Sequence, residues 1–136
     1  MEHKQLNRII AAIMFLIALI VYGRTVAPTT SYWDCGEFIT CAYILGVPHP
    51  PGAPLYILVG RIFTMLPFFD DIGLRVNILS VILSALTIMF TYLIIVRLLR
   101  EWRGIPETIE QKIIMYTGGV IGALALAFSD SFWFNA

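Results

Sequence analysis

Between Arg75 and Arg97 the chain runs from Val76 to Val96 without a charged residue, and this run limits the fold more than any other feature. A helix needs about 20 apolar residues to cross the hydrocarbon core of a bilayer. Two further stretches read the same way. Ile9 to Gly23 lies between Arg8 and Arg24, whose long stems can snorkel to the interfaces. Ile113 to Ser129 is uncharged up to Asp130 and continues into Phe132, Trp133 and Phe134, an aromatic cluster suited to a headgroup belt. Composition agrees: 59% of the 136 residues are hydrophobic and 13% charged, with a mean hydropathy of +0.83. The fold class expected is an all-α integral membrane protein. Its transmembrane helices fall at about residues 7–27, 74–98 and 113–134, with a long first loop at about 28–73 holding short interfacial helices and a short loop at about 99–112.

The flanks set the direction. Lys4 and Arg8 precede the first span, and Arg97, Arg100, Arg103 and Lys112 crowd the connection between the second and third. Both flanks should be cytoplasmic, which puts the long loop and Asp130 on the outer side. A cleaved signal peptide is the competing reading of the first span, with Thr25-Val26-Ala27 as a small-residue site. It ranks second, because Arg24 interrupts the cleavage region and Pro28 would follow the cut. In the third span Gly118 and Gly122 form a GxxxG pair beside a small-residue row at Gly119, Ala123 and Ala127, a face that permits close helix approach. The chain ends at Ala136 with no helix stop and no return across the membrane, which reads as the N-terminal part of a longer polytopic protein. Net charge is zero, so no nucleic-acid footprint is present.

A loop of this length is where function is sought. Gly46-Val47-Pro48-His49-Pro50-Pro51-Gly52-Ala53-Pro54 excludes helix and central strand and should present His49 at a defined place. Pro54 suits the first position of a helix over Leu55 to Leu66, too short to cross a bilayer. Asp70 and Asp71 should cap the start of the second span. Cys35 and Cys41 lack zinc spacing; oxidation to one another is open, although two small thiols in a packed setting are the commoner outcome.

Asp34 and Glu37 are spaced to meet on one helix face. One carboxylate can take a proton from an acceptor hydroxyl while its neighbour holds substrate or a divalent metal ion. The same spacing is also a capping box for a helix from Glu37 to Leu45, and spacing alone favours the cap. His49 taken singly is best explained as a satisfied imidazole in a turn. Tyr32, Trp33, Tyr43 and Tyr56 taken singly are headgroup anchors, and Asp130 a solvated carboxylate. Convergence on one side of the membrane raises the weight of the functional reading.

The runs Tyr32-Trp33-Asp34-Cys35-Gly36-Glu37-Phe38, Gly46 to Tyr56, and Phe128 to Ala136 resemble the N-terminal region of the glycosyltransferase 117 family, bacterial membrane proteins related to protein O-mannosyltransferases. The resemblance covers nearly the whole chain, and its most specific element is His49-Pro50-Pro51-Gly52. It implies a GT-C architecture, a multi-pass protein of the bacterial inner membrane with residues 28–73 periplasmic. It further implies inverting transfer of mannose or a similar hexose from a polyprenyl-phosphate donor to a Ser/Thr or other hydroxyl on a protein or glycan. On this carry-over Asp34 is the general base and Glu37 positions the base or the acceptor. His49 and Arg61 are assigned to the donor phosphate, with Trp33 and Asp130 as further substrate-binding candidates. The resemblance names no definite cofactor and leaves a divalent metal ion open. The acidic pair of the O-mannosyltransferases is adjacent, whereas Cys35 and Gly36 intervene here, so the division of labour is open. The alternatives are a transporter segment, which predicts charges inside the spans where none occur, and a non-catalytic membrane subunit.

Overall fold

The computed structural model describes residues 3–135, and every regular element among them is helical. The elements are α1 (His3–Thr25), α2 (Cys35–Ile44), α3 (Pro54–Met65), α4 (Ile72–Arg103), α5 (Ile109–Ala127) and α6 (Asp130–Asn135). They fall into two compact units, Thr25–Val81 on the one hand and Met1–Arg24 with Ile82–Ala136 on the other.

In the unit formed by α1, the later part of α4, α5 and α6, burial follows helical periodicity. Ala11, Met14, Ala18 and Tyr22 of α1 are buried, whereas Ile9, Ile13, Leu16 and Ile20 on the opposite face are exposed. On α4, Ala85, Ile88, Tyr92 and Val96 are buried while Leu83, Phe90, Ile94 and Leu98 are exposed. Only 22% of the apolar stretch of α1 and 28% of that of α4 are buried. Both helices are long and apolar enough to cross a membrane. A helix apolar on its outward face as well as its inward one fits a hydrocarbon solvent.

The buried polar tips are satisfied. Tyr22 Oη donates to the Ala127 carbonyl at 2.9 Å and Tyr92 Oη to Asn7 Oδ1 at 3.0 Å. The small-residue face of α5 meets α4, as its composition suggests: a Cβ on Gly119 would lie 2.7 Å from Val96 Cγ2, and one on Gly122 2.6 Å from Ile95 Cδ1.

The expected third span over 113–134 is divided. α5 begins with Ile109-Glu110-Gln111-Lys112, capped reciprocally by Thr108 and Gln111, and stops at Ala127. Its uncharged part from Ile113 is about 22 Å long at about 1.5 Å per residue, against a hydrocarbon core of about 30 Å. Ser129 turns its hydroxyl onto the Leu126 carbonyl at 2.8 Å, while its own carbonyl receives the N–H groups of Phe132 and Trp133 and so starts α6. The expected short loop at 99–112 is also mostly helical. α4 continues to Arg103, helped by the Arg97–Glu101 pair at 2.8 Å, and ends beside Gly104 at φ +85°.

The other unit contains most of the long loop and the start of α4. α2 and α3 approach closely at Gly60, where a Cβ would stand 3.0 Å from that of Ala42. Ile39, Ala42 and Val76 form the core, with Cys35, Tyr56 and Ile72 packed against it. Asp71 Oδ1 accepts from Leu74 N at 2.9 Å and so caps α4. Arg75 closes the preceding turn, donating to the carbonyls of Phe69 at 2.6 Å and Thr64 at 2.9 Å.

Candidate functional site

Asp34 stands at the N-cap of α2, yet its side chain makes no capping hydrogen bond. Glu37, three positions on, likewise does not reach back to the N-cap. Its carboxylate instead receives two hydrogen bonds from His49, from the backbone N–H to Oε1 at 2.7 Å and from the ring Nδ1 to Oε2 at 2.8 Å. The second carboxylate faces the other ring nitrogen, with Asp34 Oδ2 3.8 Å from His49 Nε2. Ligand atoms of Asp34, Glu37 and His49 thus lie within 4.8 Å of one another. The capping reading that spacing favoured is therefore not the one the fold adopts.

The proline-rich segment delivers His49. α2 ends on Leu45 in the left-handed region, with Gly46 N bonded to the Cys41 carbonyl. Gly52 N donates to the His49 carbonyl at 3.0 Å, the Pro50–Pro51 bond is cis, and Pro54 opens α3. Phe38 supports the imidazole from α2 with an edge-on ring contact at 6.1 Å, and packs in turn against Tyr56 at 5.7 Å. Mutual hydrogen bonding and charge hold Glu37 below the usual carboxylate range and His49 above the usual imidazole range. All three groups are exposed, so an incoming molecule can reach them.

The remaining candidates are distributed differently. Arg61 donates to the Tyr43 carbonyl and lies over the Tyr43 ring at 5.8 Å, a cation at the C-terminal end of α2. Trp33 directly precedes Asp34, fully in solvent at 85% exposure, and its backbone is left-handed at φ 60°. Asp130 begins α6 and belongs to the other unit. Cys35 and Cys41 are free thiols.

One residue of the site's support was not anticipated. Asn77, buried on α4, donates to the carbonyls of Ala27 and Thr29 at 2.9 Å each and accepts from the Cys35 thiol at 3.6 Å. It ties the entry of the loop and the first residue of α2 to α4, next to Asp34. The signal available in the sequence was the one amide side chain in an uncharged run whose other polar residues are hydroxyls.

Membrane-length helices and an acid–imidazole cluster in the segment between them define a class, helical membrane-type proteins with a polar cluster outside their apolar segments. Within it, the chain belongs to the family of the protein O-mannosyl-transferase TMEM260 N-terminal domain, which matches residues 34–136 and so starts at the first residue of the cluster. It is 31% identical over 123 residues to protein O-mannosyl-transferase tmem260 of Dictyostelium discoideum, covering 89% of this chain and 13% of that protein. It is 28% identical over 120 residues to protein O-mannosyl-transferase TMEM260 of Mus musculus, covering 88% of this chain and 15% of that protein. The chain therefore spans about one seventh of the length of these relatives. No solved structure matches it.

Proposed function

We propose that the chain is the catalytic-loop region of a membrane glycosyltransferase of GT-C type, moving mannose or a similar hexose from a polyprenyl-phosphate donor to a protein hydroxyl. The observation that carries this reading is the meeting of Asp34, Glu37 and His49 within 4.8 Å in a family whose named members are O-mannosyl-transferases. α1 and α4 cross the bilayer, and α5 with α6 makes the third passage. The N-terminus is cytoplasmic and residues 28–73 face the outer side, periplasmic in a bacterial inner membrane.

In an inverting displacement the acceptor oxygen attacks the anomeric carbon as the carbon–phosphate oxygen bond breaks. The hydroxyl proton passes to Asp34, and the donor leaves as polyprenyl phosphate. Asp34 suits the base, since its carboxylate makes no capping bond and is 59% exposed. Glu37 is engaged by both donors of His49, which gives it the positioning role and leaves the acceptor to Asp34. Trp33, next to Asp34, offers an exposed ring face to a sugar.

The test is Asp34→Asn in the full-length protein, scored by sugar transfer from a lipid-linked donor. General-base loss predicts a fall of about 100-fold or more. Undiminished transfer would remove Asp34 from the mechanism as its general base.

A further inference from the structure

We infer that Asp34 Oδ2 and His49 Nε2 are the protein ligands of a divalent transition-metal cation of the Mn2+ kind, with Glu37 behind the imidazole as its orienting partner and Asp34 Oδ1 left to the acceptor hydroxyl. The argument begins with the ring. Glu37 takes the Nδ1 hydrogen at 2.8 Å, and a neutral imidazole with its proton there carries its lone pair on Nε2. Nε2 lies 3.8 Å from Asp34 Oδ2, longer than a hydrogen bond. Two ligands of one ion, each at about 2.0–2.2 Å, are separated by about 3 to 4.4 Å. The gap therefore takes an ion between the two atoms with the backbone unchanged.

The surroundings supply what such a site requires. A carboxylate on the far nitrogen of a metal-bound histidine fixes its tautomer and orientation, which is the position Glu37 occupies. The His49 backbone N–H on the same carboxylate and the Phe38 ring edge hold the imidazole still. The His49 and Asp34 side chains are 50% and 59% exposed, leaving further coordination positions open to an incoming ligand.

Charge gives an independent reason. Residues 28–73 carry four carboxylates, Asp34, Glu37, Asp70 and Asp71, against one arginine, Arg61. That arginine is committed to the Tyr43 carbonyl, and Arg75, just beyond the segment, to those of Phe69 and Thr64. On the transferase reading above, on which this role rests, an anionic loop must meet a phosphate that gains negative charge as its bond breaks. A bound dication supplies the missing positive charge.

The probe is Mn2+ itself, added to the purified full-length protein in lipid nanodiscs and followed by electron paramagnetic resonance. The expected result is one tightly bound ion whose spin-echo modulation shows a directly coordinated nitrogen. His49→Ala should abolish that nitrogen signal, Asp34→Asn should weaken binding ten-fold or more, and Glu37→Gln should weaken it by about 10- to 100-fold. Glu101→Gln, on α4 away from the loop, should leave binding unchanged. Binding without nitrogen coupling, or the same affinity in the Asp34→Asn/His49→Ala double variant, overturns the site. Because the readout is binding, the two readings separate: a nitrogen-coordinated ion in a protein whose Asp34→Asn variant still transfers sugar supports the site and removes the general-base role of Asp34. Loss of transfer in Asp34→Asn without such an ion removes the site alone.

Discussion

His49 gives both of its donors to one carboxylate, its backbone N–H reaching Glu37 Oε1 at 2.7 Å and its Nδ1 reaching Oε2 at 2.8 Å. Each group shifts the other, with Glu37 moved below its ordinary 4.5 and His49 above its ordinary 6.5, led in both cases by their side-chain hydrogen bond. The two contributions have opposite pH limits. That of His49 is complete below 6.5 and disappears as pH rises through its raised value, while that of Glu37 is complete above 4.5 and disappears as pH falls through its lowered value. The contact is therefore strongest between those limits. With a chelator present to exclude metal, NMR titration of His49 should give a midpoint above 6.5. Glu37→Gln should bring it back toward that value, and an unchanged midpoint would show that the hydrogen bond does not form in solution.

Asn77 should be as sensitive to charge as to truncation. Its amide donates to two carbonyls, of Ala27 and Thr29, from a buried position. Asn77→Ala leaves both acceptors without this donor, at a cost of about 1–3 kcal/mol. Asn77→Asp turns a carboxylate toward the same two oxygens and should lower the melting temperature of the purified protein further than alanine does. An aspartate variant as stable as the parent would contradict the bonding seen here.

What could be read from the residues alone was what depends on near neighbours. Pro54 at the start of α3, the Asp71 cap and the glycine face of α5 each follow from local geometry, and each is found in place. The Asp34/Glu37 spacing pointed to a cap, because a capping box and a pair of free carboxylates have the same sequence form. What decides between them is His49, twelve residues beyond Glu37, and its reach depends on the path of a proline-rich turn. Asn77 bridges 48 and 50 positions to its two carbonyl partners, a separation that periodicity does not address. Hydropathy ran the third apolar segment through to Phe134. The break at Phe128 and Ser129 is set by one hydroxyl folding back on Leu126, a contact that a hydropathy average does not register.

The glycines of α5 differ in what a methyl group would meet. At Gly119 it would press on Val96 and on the ring of Tyr92, which is 0% exposed and tethered to Asn7. At Gly122 the near atom is Ile95 Cδ1, the free end of a flexible side chain, and at Gly118 it is Leu99 Cδ1 at an ordinary 3.4 Å. Gly119→Ala should therefore cost about 1–3 kcal/mol, Gly122→Ala less, and Gly118→Ala almost nothing, measured as heat stability in detergent. Equal losses at positions 118 and 119 would mean that α4 and α5 pack differently.

The last prediction concerns the face of the membrane on which the cluster lies. Val47, two residues before His49 and 86% exposed, can carry a reporter thiol without disturbing the contacts of the loop. In a Cys35→Ser, Cys41→Ala background, Val47→Cys should react with a membrane-impermeant maleimide added to intact cells. The reason is energetic: turning the loop to the cytoplasm would move the cluster of Arg97, Arg100 and Arg103 at the end of α4 and Lys112 at the start of α5 to the outer side, against the usual placement of basic residues. It would also leave Asp34 across the bilayer from the outward-facing acceptor that the transfer mechanism requires. Reaction only after the cells are lysed would therefore invert the topology and remove the transferase reading with it.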